Sequence, residues 1–366
     1  MKFQTSLLED WLRKYYFSAK YDLGSSGVRN FTVKDLYSLN NFPFTDLEEL
    51  VFNDGDTFGS HKIRNLIANR FGDKDPESVL IGNGSNEVIY YVMNSLLSSG
   101  DEVIILEPIY YALENIPKAL NCNVKSWKLE ASDDFHPNLD NLKNLITTKT
   151  RMVIVNFPHN PTGVTLSLNE LNYLIELVSS VNAYLVWDAA FQDLVYENPS
   201  LPNPYIQYKK TVYINTLTKC YGLAGLRLGW CISSPETIKL SEILKDYTSL
   251  YVSPLNEIYG IAAIENINYL LEHRLNDAKT NLQVLRDWVR ENKNYLHCKF
   301  PQGGVSSFIK IVQQVDTEKF CKQLMDKEGV LLVPGKCFNY PSYVRLGLGS
   351  SPVDFQTGLN IISNYF

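Results

Sequence analysis

Between residues 57 and 235 short apolar runs alternate with stretches of helical periodicity. The runs cover 79–81, 103–106, 152–155, 184–187, 212–214 and 228–232. Each is continuously apolar, which predicts strands buried on both faces of a parallel sheet. Helix candidates at 86–98, 110–120 and 168–180 lie between the runs and would cover those faces. Ahead of this region, 7–17 has apolar positions at helical spacing, and Asp22, Gly24 and Gly27 then break the pattern. Beyond Ser253-Pro254 a long helical stretch is predicted over roughly 255–292, followed by strand candidates at 305–311 and 343–348. The pattern predicts an α/β fold: a large domain with a mostly parallel, mixed sheet sandwiched by helices, and a smaller α+β C-terminal domain. The expected division is an N-terminal helix and arm (1–45) packing on the small domain, the large domain (46–250) and the small domain (251–366).

Length supports this, since 366 residues suffice for two cores. Hydrophobic residues make up 45% and charged residues 20%, as in a globular protein. The net charge of −6, without a basic run, argues against nucleic acid or anionic membrane as a partner. Six scattered cysteines without a Cys-x-x-Cys pair read as reduced thiols, so no zinc or other metal site is expected. No segment is apolar over a bilayer's width, and the opening residues lack a signal peptide's apolar core, so a cytoplasmic location is expected.

Ligands of a parallel sheet collect at the carboxyl ends of its strands, and chemically capable residues follow those ends here. Lys219 stands three residues after Thr216 and eight before Arg227. A hydroxyl and a planar guanidinium at that spacing suit a phosphate held beside an amine, while Gly222 and Gly225 let the loop fold back. The set fits a lysine joined as an imine to pyridoxal phosphate. Asp188 closes the run 184–187, where a carboxylate needs a cation. The cofactor's pyridine nitrogen is one such cation; capping of the next helix is the alternative.

Asn160 sits in a His-Asn-Pro-Thr-Gly turn and can donate to a ring oxygen. Gly82-Asn-Gly84-Ser85-Asn86 opens a helix whose free amides suit phosphate, without the third glycine of a dinucleotide fingerprint. Tyr110 offers a ring face for stacking, although core and interface tyrosines are common. Arg345, in the last strand candidate, suits bidentate binding of a carboxylate or a structural salt bridge.

In this order the residues resemble the fold-type I pyridoxal-phosphate enzymes, the aspartate aminotransferase superfamily, over nearly the whole chain. The resemblance implies that Lys219 is the covalent and catalytic lysine. It implies that Asp188 holds the pyridine nitrogen, Asn160 the ring oxygen and Tyr110 the ring face. Phosphate would be held by Ser85, Asn86, Thr216, Thr218 and Arg227, with the backbone at Gly84. Arg345 would hold the substrate carboxylate, helped by Gly27. A homodimer with active sites at the interface is also implied. Two departures stand out: Phe191 occupies a position where many aminotransferases carry a tyrosine, and the stretch just before Gly59 has no tyrosine, with Asp54 or Thr57 standing near there instead.

A narrower likeness lies in Leu8-Glu-Asp-Trp-Leu-Arg13, Ser25-Ser-Gly-Val28 and Trp187-Asp-Ala-Ala-Phe-Gln-Asp-Leu-Val195. These are similar to the cyclodehydratases of hydroxylated arginine, the group of capreomycidine synthase and of the L-enduracididine-forming enzyme of guanitoxin biosynthesis. That likeness implies loss of water and ring closure by the guanidine. γ-Hydroxy-L-arginine giving L-enduracididine is favoured on an Asn-, Lys- and Tyr-rich composition; β-hydroxyarginine giving capreomycidine is the other outcome. Glu9, Asp22 and Asp54 are candidates for the guanidinium partner, and Ser25 for the pocket wall. The competing readings are an ordinary aminotransferase, for instance of histidinol phosphate, and the aminotransferase-like module of a transcription regulator. The second lacks a basic patch or helix-turn-helix extension.

Overall fold

Seven strands build the main sheet of the computed structural model, which describes residues 3–313 and 316–366. They are β1 (Val79–Gly82), β2 (Glu102–Glu107), β3 (Asn123–Lys128), β4 (Thr150–Asn156), β5 (Tyr184–Asp188), β6 (Thr211–Thr216) and β7 (Gly229–Ile232). Their order is β1-β7-β6-β5-β4-β2-β3. β2 to β6 pair in parallel, and β7 runs antiparallel between β6 and β1. The sheet is mostly parallel and mixed, as the apolar runs predict. β3 escaped the sequence pattern because it is an edge strand: Trp127 is its one fully buried residue, and its ends are exposed.

Alternate residues of each central strand enter opposite cores. Met152 and Ile154 of β4 join one, Val153 and Val155 the other. Each such side chain contributes roughly 1.5–3 kcal/mol when fully buried. The helix α1 (Leu7–Tyr15) precedes the sheet, and α2 (His61–Phe71), α3 (Ser85–Leu96), α4 (Tyr111–Ala119), α5 (Leu168–Ser180) and α6 (Pro235–Lys245) cover it. α3 lays Val88, Ile89 and Val92 on one face, and α5 lays Leu171, Leu174 and Val178 on the other. A capping box between Ser167 and Glu170 fixes the start of α5.

The helical stretch predicted over 255–292 is two helices, α7 (Pro254–Glu265) and α8 (Ile267–Glu291). The break falls at Asn266, whose amide donates to the Ala262 carbonyl at 2.9 Å and to the Asn40 carbonyl at 3.1 Å. Such side-chain bonds to nearby carbonyls compete with the helical ladder.

The C-terminal part carries an antiparallel sheet of β8 (Leu296–Cys298), β9 (Ser306–Ile311), β10 (Val333–Pro334) and β11 (Tyr343–Gly347), in the order β10-β11-β9-β8. α9 (Thr317–Glu328) and α10 (Pro352–Ser363) accompany it. α1 packs here. It buries Leu8, Trp11 and Tyr15, and the Trp11 indole donates to the Leu332 carbonyl at 2.8 Å. Tyr21–Asp22 then pairs in parallel with Val330 and Leu331. These contacts fix the N-terminal arm where it borders the functional cavities. Among the described residues no helix is long and apolar enough to cross a membrane.

Candidate active site

Parallel strands ending side by side bring their terminal residues to one edge of the sheet, and the site is built there. Asp188 ends β5 and is fully buried. Its carboxylate accepts the Ala190 amide at 2.9 Å, and its carbonyl accepts the Asn156 side chain at 3.0 Å. Asn156 ends β4 and also accepts the Asn160 backbone amide at 2.9 Å. One asparagine thus joins the Asp188 strand to the Asn160 turn. Burial pushes the Asp188 carboxyl up to about 6, against the Ala190 bond and the charge of Lys219.

Lys219 lies in the loop after β6. Its Nζ donates to Ser26 Oγ at 3.2 Å and stands 6.0 Å from the centre of the Phe191 ring. Burial, followed by the positive charge of Arg345, lowers the Lys219 amine to about 8, against the opposing pull of Glu9 and Asp188. A lowering in this direction is what a catalytic acid and base working near neutral pH requires.

Ser85 and Asn86 begin α3 and line the same cavity as Arg227. The Arg227 guanidinium donates to the Ala224 carbonyl at 3.1 Å and forms no ion pair among the described residues. It lies against Gly84, where an added Cβ would come within 2.5 Å of Nη2. A guanidinium without a carboxylate, beside the amides of a helix start, has the chemistry that suits an anion. The Asn86 amide also donates to the Tyr110 hydroxyl at 3.0 Å.

Arg345, in β11, is 1% exposed. Nε and Nη2 both donate to the Gly24 carbonyl, at 3.2 and 2.8 Å, and Nη1 donates to Asn160 Oδ1 at 3.3 Å. Burial lowers it to about 10.

Two adjoining cavities meet at Lys219. The one of about 260 Å³ is bounded by Asp188, Asn160, Tyr110 and Arg227 among others. The one of about 380 Å³, more open, is bounded by Ser25, Gly27, Tyr16 and Phe17 among others. Glu9, Ser26, Thr218 and Lys219 line both. The structure therefore separates the guanidinium candidates. Glu9 faces the cavities, Asp22 caps the Gly24 and Ser25 amides, and Asp54 accepts the Tyr251 hydroxyl at an exposed position. Thr216 stands back from the cavity, its hydroxyl donating to the Leu228 carbonyl at 2.9 Å, while Thr218 reaches the wall.

These groups fit pyridoxal phosphate. A buried acid aimed into a cavity, an unpaired arginine at a helix start and a buried lysine between them match its pyridine nitrogen, phosphate and aldehyde. The class I and II aminotransferase model matches residues 40–362. The chain belongs to that family. It is therefore a pyridoxal-phosphate enzyme. Capreomycidine synthase of Streptomyces vinaceus is 35% identical, over 97% of this chain and 92% of that protein. Aspartate aminotransferase of Thermotoga maritima is 28% identical, over 85% of this chain and 82% of that protein. Among solved structures, the pyridoxal-phosphate-dependent cyclase OrfR superposes with a TM-score of 0.95 at 34% identity, covering 100% of this chain and 97% of that one. An aminotransferase from Streptococcus suis superposes with a TM-score of 0.94 at 30% identity, covering 100% and 98%.

Three residues at the site could not be assigned a role from the sequence. Ser26 is one of two adjacent serines in an aperiodic loop. Asn156 ends an apolar run as an ordinary polar boundary. His159 is fully buried, with Nε2 at 2.6 Å from the Pro108 carbonyl and Nδ1 at 2.8 Å from Thr162 Oγ1. It links the segment before Tyr110 to the turn of Asn160, a contact across 51 residues that local pattern does not encode.

Proposed function

We propose that the chain is a cyclodehydratase that converts a hydroxy-L-arginine to a cyclic guanidino amino acid, with γ-hydroxy-L-arginine and L-enduracididine as the favoured pair. The names of two similar proteins, capreomycidine synthase and a pyridoxal-phosphate-dependent cyclase, support the reaction class. One observation carries the substrate class: Glu9 lines both cavities at Lys219, and Arg345 donates to Asn160 in the wall of the smaller one. A carboxylate and a guanidinium whose charges both act on one amine suit an amino acid whose side chain is itself cationic.

In this reading Asp188 holds the pyridine nitrogen, Asn160 the ring oxygen and Tyr110 the ring face. Ser85, Asn86, Thr218 and Arg227 hold the phosphate, with Thr216 and the Gly84 backbone behind them. Pyridoxal phosphate supplies an electron sink for the pair left at Cα. Arg345 and the Gly27 backbone hold the substrate carboxylate, and Glu9 and Ser25 hold and orient the guanidinium. Lys219 takes the Cα proton as amine; a hydroxyl on Cβ would then leave directly and one on Cγ after a further proton is taken from Cβ, with Lys219, as ammonium, delivering a proton to the departing oxygen. One C–O bond breaks, one C–N bond forms and one water leaves, with no change in oxidation state. Keeping the guanidine nitrogen close to the carbon it attacks can lower the barrier by up to roughly 7–11 kcal/mol. Exposed apolar residues at Val51, Phe52, Tyr247 and Leu250 support a homodimer as the working form.

Mass spectrometry of products from β- and γ-hydroxyarginine tests the proposal. Loss of one water with the amino group retained is expected, and which substrate reacts identifies the leaving position. Formation of a 2-oxo acid without dehydration would establish an aminotransferase instead. Lys219→Ala is expected to abolish both the reaction and the covalent adduct trapped by borohydride.

A further inference from the structure

Lys245, the last residue of α6, is 0% exposed and lies apart from the cavities. Its ammonium donates to two backbone carbonyls, those of Thr57 and, at 2.8 Å, of Ile81. Ile81 belongs to β1, which runs directly into the Gly82–Ser85 turn and α3. The Thr57 segment is held to the same strand a second time, because the Ile81 amide donates to the Phe58 carbonyl at 3.0 Å. Gly59 packs so tightly on Ile81 that an added Cβ would lie 2.3 Å from its side chain.

The acidic groups facing Lys245 hold the same two segments. Glu87 of α3 accepts the Asn83 amide at 2.7 Å. Glu257 of α7 accepts the Ser60 amide at the start of α2, at 3.1 Å. Asp56 accepts the Phe58 amide at 2.8 Å. The charges of Glu87, Glu257 and Asp56, and the Cys231 thiol of β7, act on the lysine together; burial is the larger influence and lowers it to about 8. A buried ammonium is costly to keep; this one is satisfied by two backbone carbonyls and lies in the field of three carboxylates that each bind a loop amide, which makes it a tie between those loops.

We propose that Lys245 is a positioning residue for the cofactor phosphate, tying the 57–60 segment to the 82–86 loop that opens α3. The inference rests on the reading of Ser85, Asn86 and Arg227 as phosphate ligands. Without the tie, β1 loses a fixed end and the helix start loses its aim at the phosphate, while the pyridine and aldehyde contacts at Asp188 and Lys219 stay as they are.

The test compares binding of pyridoxamine 5′-phosphate and of pyridoxamine, which lacks the phosphate, to full-length wild-type and Lys245→Met apoprotein. The variant is expected to bind the phosphorylated compound about tenfold more weakly, the loss typical of a removed charge-assisted hydrogen bond, and pyridoxamine unchanged. Equal weakening of both compounds, or of neither, overturns the proposal. A wild-type protein with no preference for the phosphorylated compound overturns the underlying phosphate-loop reading as well. If the variant does not fold, hydrogen exchange on the wild type decides. Pyridoxamine 5′-phosphate is expected to protect 57–60 and 82–86 together, and protection of 82–86 alone overturns the tie.

Discussion

Arg345 and Asn160 meet between the two sheets: the arginine Nη1 donates to the asparagine Oδ1 at 3.3 Å, while Nε and Nη2 grip the Gly24 carbonyl. One guanidinium therefore touches the C-terminal sheet, the Asn160 turn and the N-terminal arm. A lysine keeps the charge but cannot keep that planar fork. Arg345→Lys is expected to raise KM for the amino-acid substrate roughly ten- to a hundredfold, with a smaller fall in kcat. Steady-state kinetics check this, and an unchanged KM would remove Arg345 from substrate binding.

Asp188 gives a prediction with two opposite signs. Its carboxyl is raised from 3.8 to about 6 in the folded apoprotein. The unfolded chain ionises it first, so apoprotein stability falls as pH rises from about 4 to about 6 and stays lower above that. The difference is at most about 3 kcal/mol. Asp188→Asn keeps the acceptor for the Ala190 amide and removes the buried charge. Its apoprotein is expected to melt higher than wild type at pH 7.5 and at the same temperature near pH 4, while binding pyridoxal phosphate much more weakly. Calorimetry at both pH values together with a cofactor titration reads the two effects. A variant less stable at pH 7.5 would contradict the assignment of burial as the cause.

Glu9 is the carboxylate assigned to the substrate's guanidinium. Glu9→Gln keeps the shape of the side chain and removes its charge, and α1 stays anchored through Trp11 and Leu332. KM for hydroxyarginine is expected to rise roughly tenfold or more. Inhibition by citrulline, whose side chain carries no charge, is expected to change little. Equal effects on the two compounds would assign Glu9 a structural role.

Much of this architecture was legible in the sequence because buried parallel strands write themselves as continuous apolar runs, and the cofactor-facing residues follow those runs at fixed offsets. Asp188 after 184–187 and Lys219 after 212–214 are readable for that reason. β3 was not, since an edge strand has one exposed face and no apolar run. The break at Asn266 depends on a carbonyl at Asn40, far away in the chain. Ser26 becomes visible only when the N-terminal arm folds against Lys219, 193 residues on. Of the three acids, Glu9 stood out from Asp22 and Asp54 only by lying within the Leu8–Arg13 stretch; the packing of α1 through Trp11 is what leaves it at the cavity wall.

Phe191 supplies the last prediction. It is buried at 4% exposure, lines the cavity with Asp188, and its ring centre stands 6.0 Å from Lys219 Nζ. A tyrosine at this position would bring a hydroxyl towards the ring oxygen of the cofactor, where Asn160 is the other donor in the proposed arrangement. Each added donor favours the form in which that oxygen carries negative charge and the linkage to Lys219 has lost its proton. With phenylalanine the protonated form is expected to persist to higher pH, which suits the proposed reaction, since that expels hydroxide and needs a proton close by. In Phe191→Tyr the visible absorption of the bound cofactor is therefore expected to titrate about one pH unit lower, the size of a single net hydrogen bond. The fraction of turnovers ending in a 2-oxo acid is expected to rise at the expense of the cyclic product. Absorbance titration and product analysis of the same preparation read both consequences. An unmoved titration would mean that the added hydroxyl never reaches the ring oxygen, and the proposed dehydration would then not depend on Phe191.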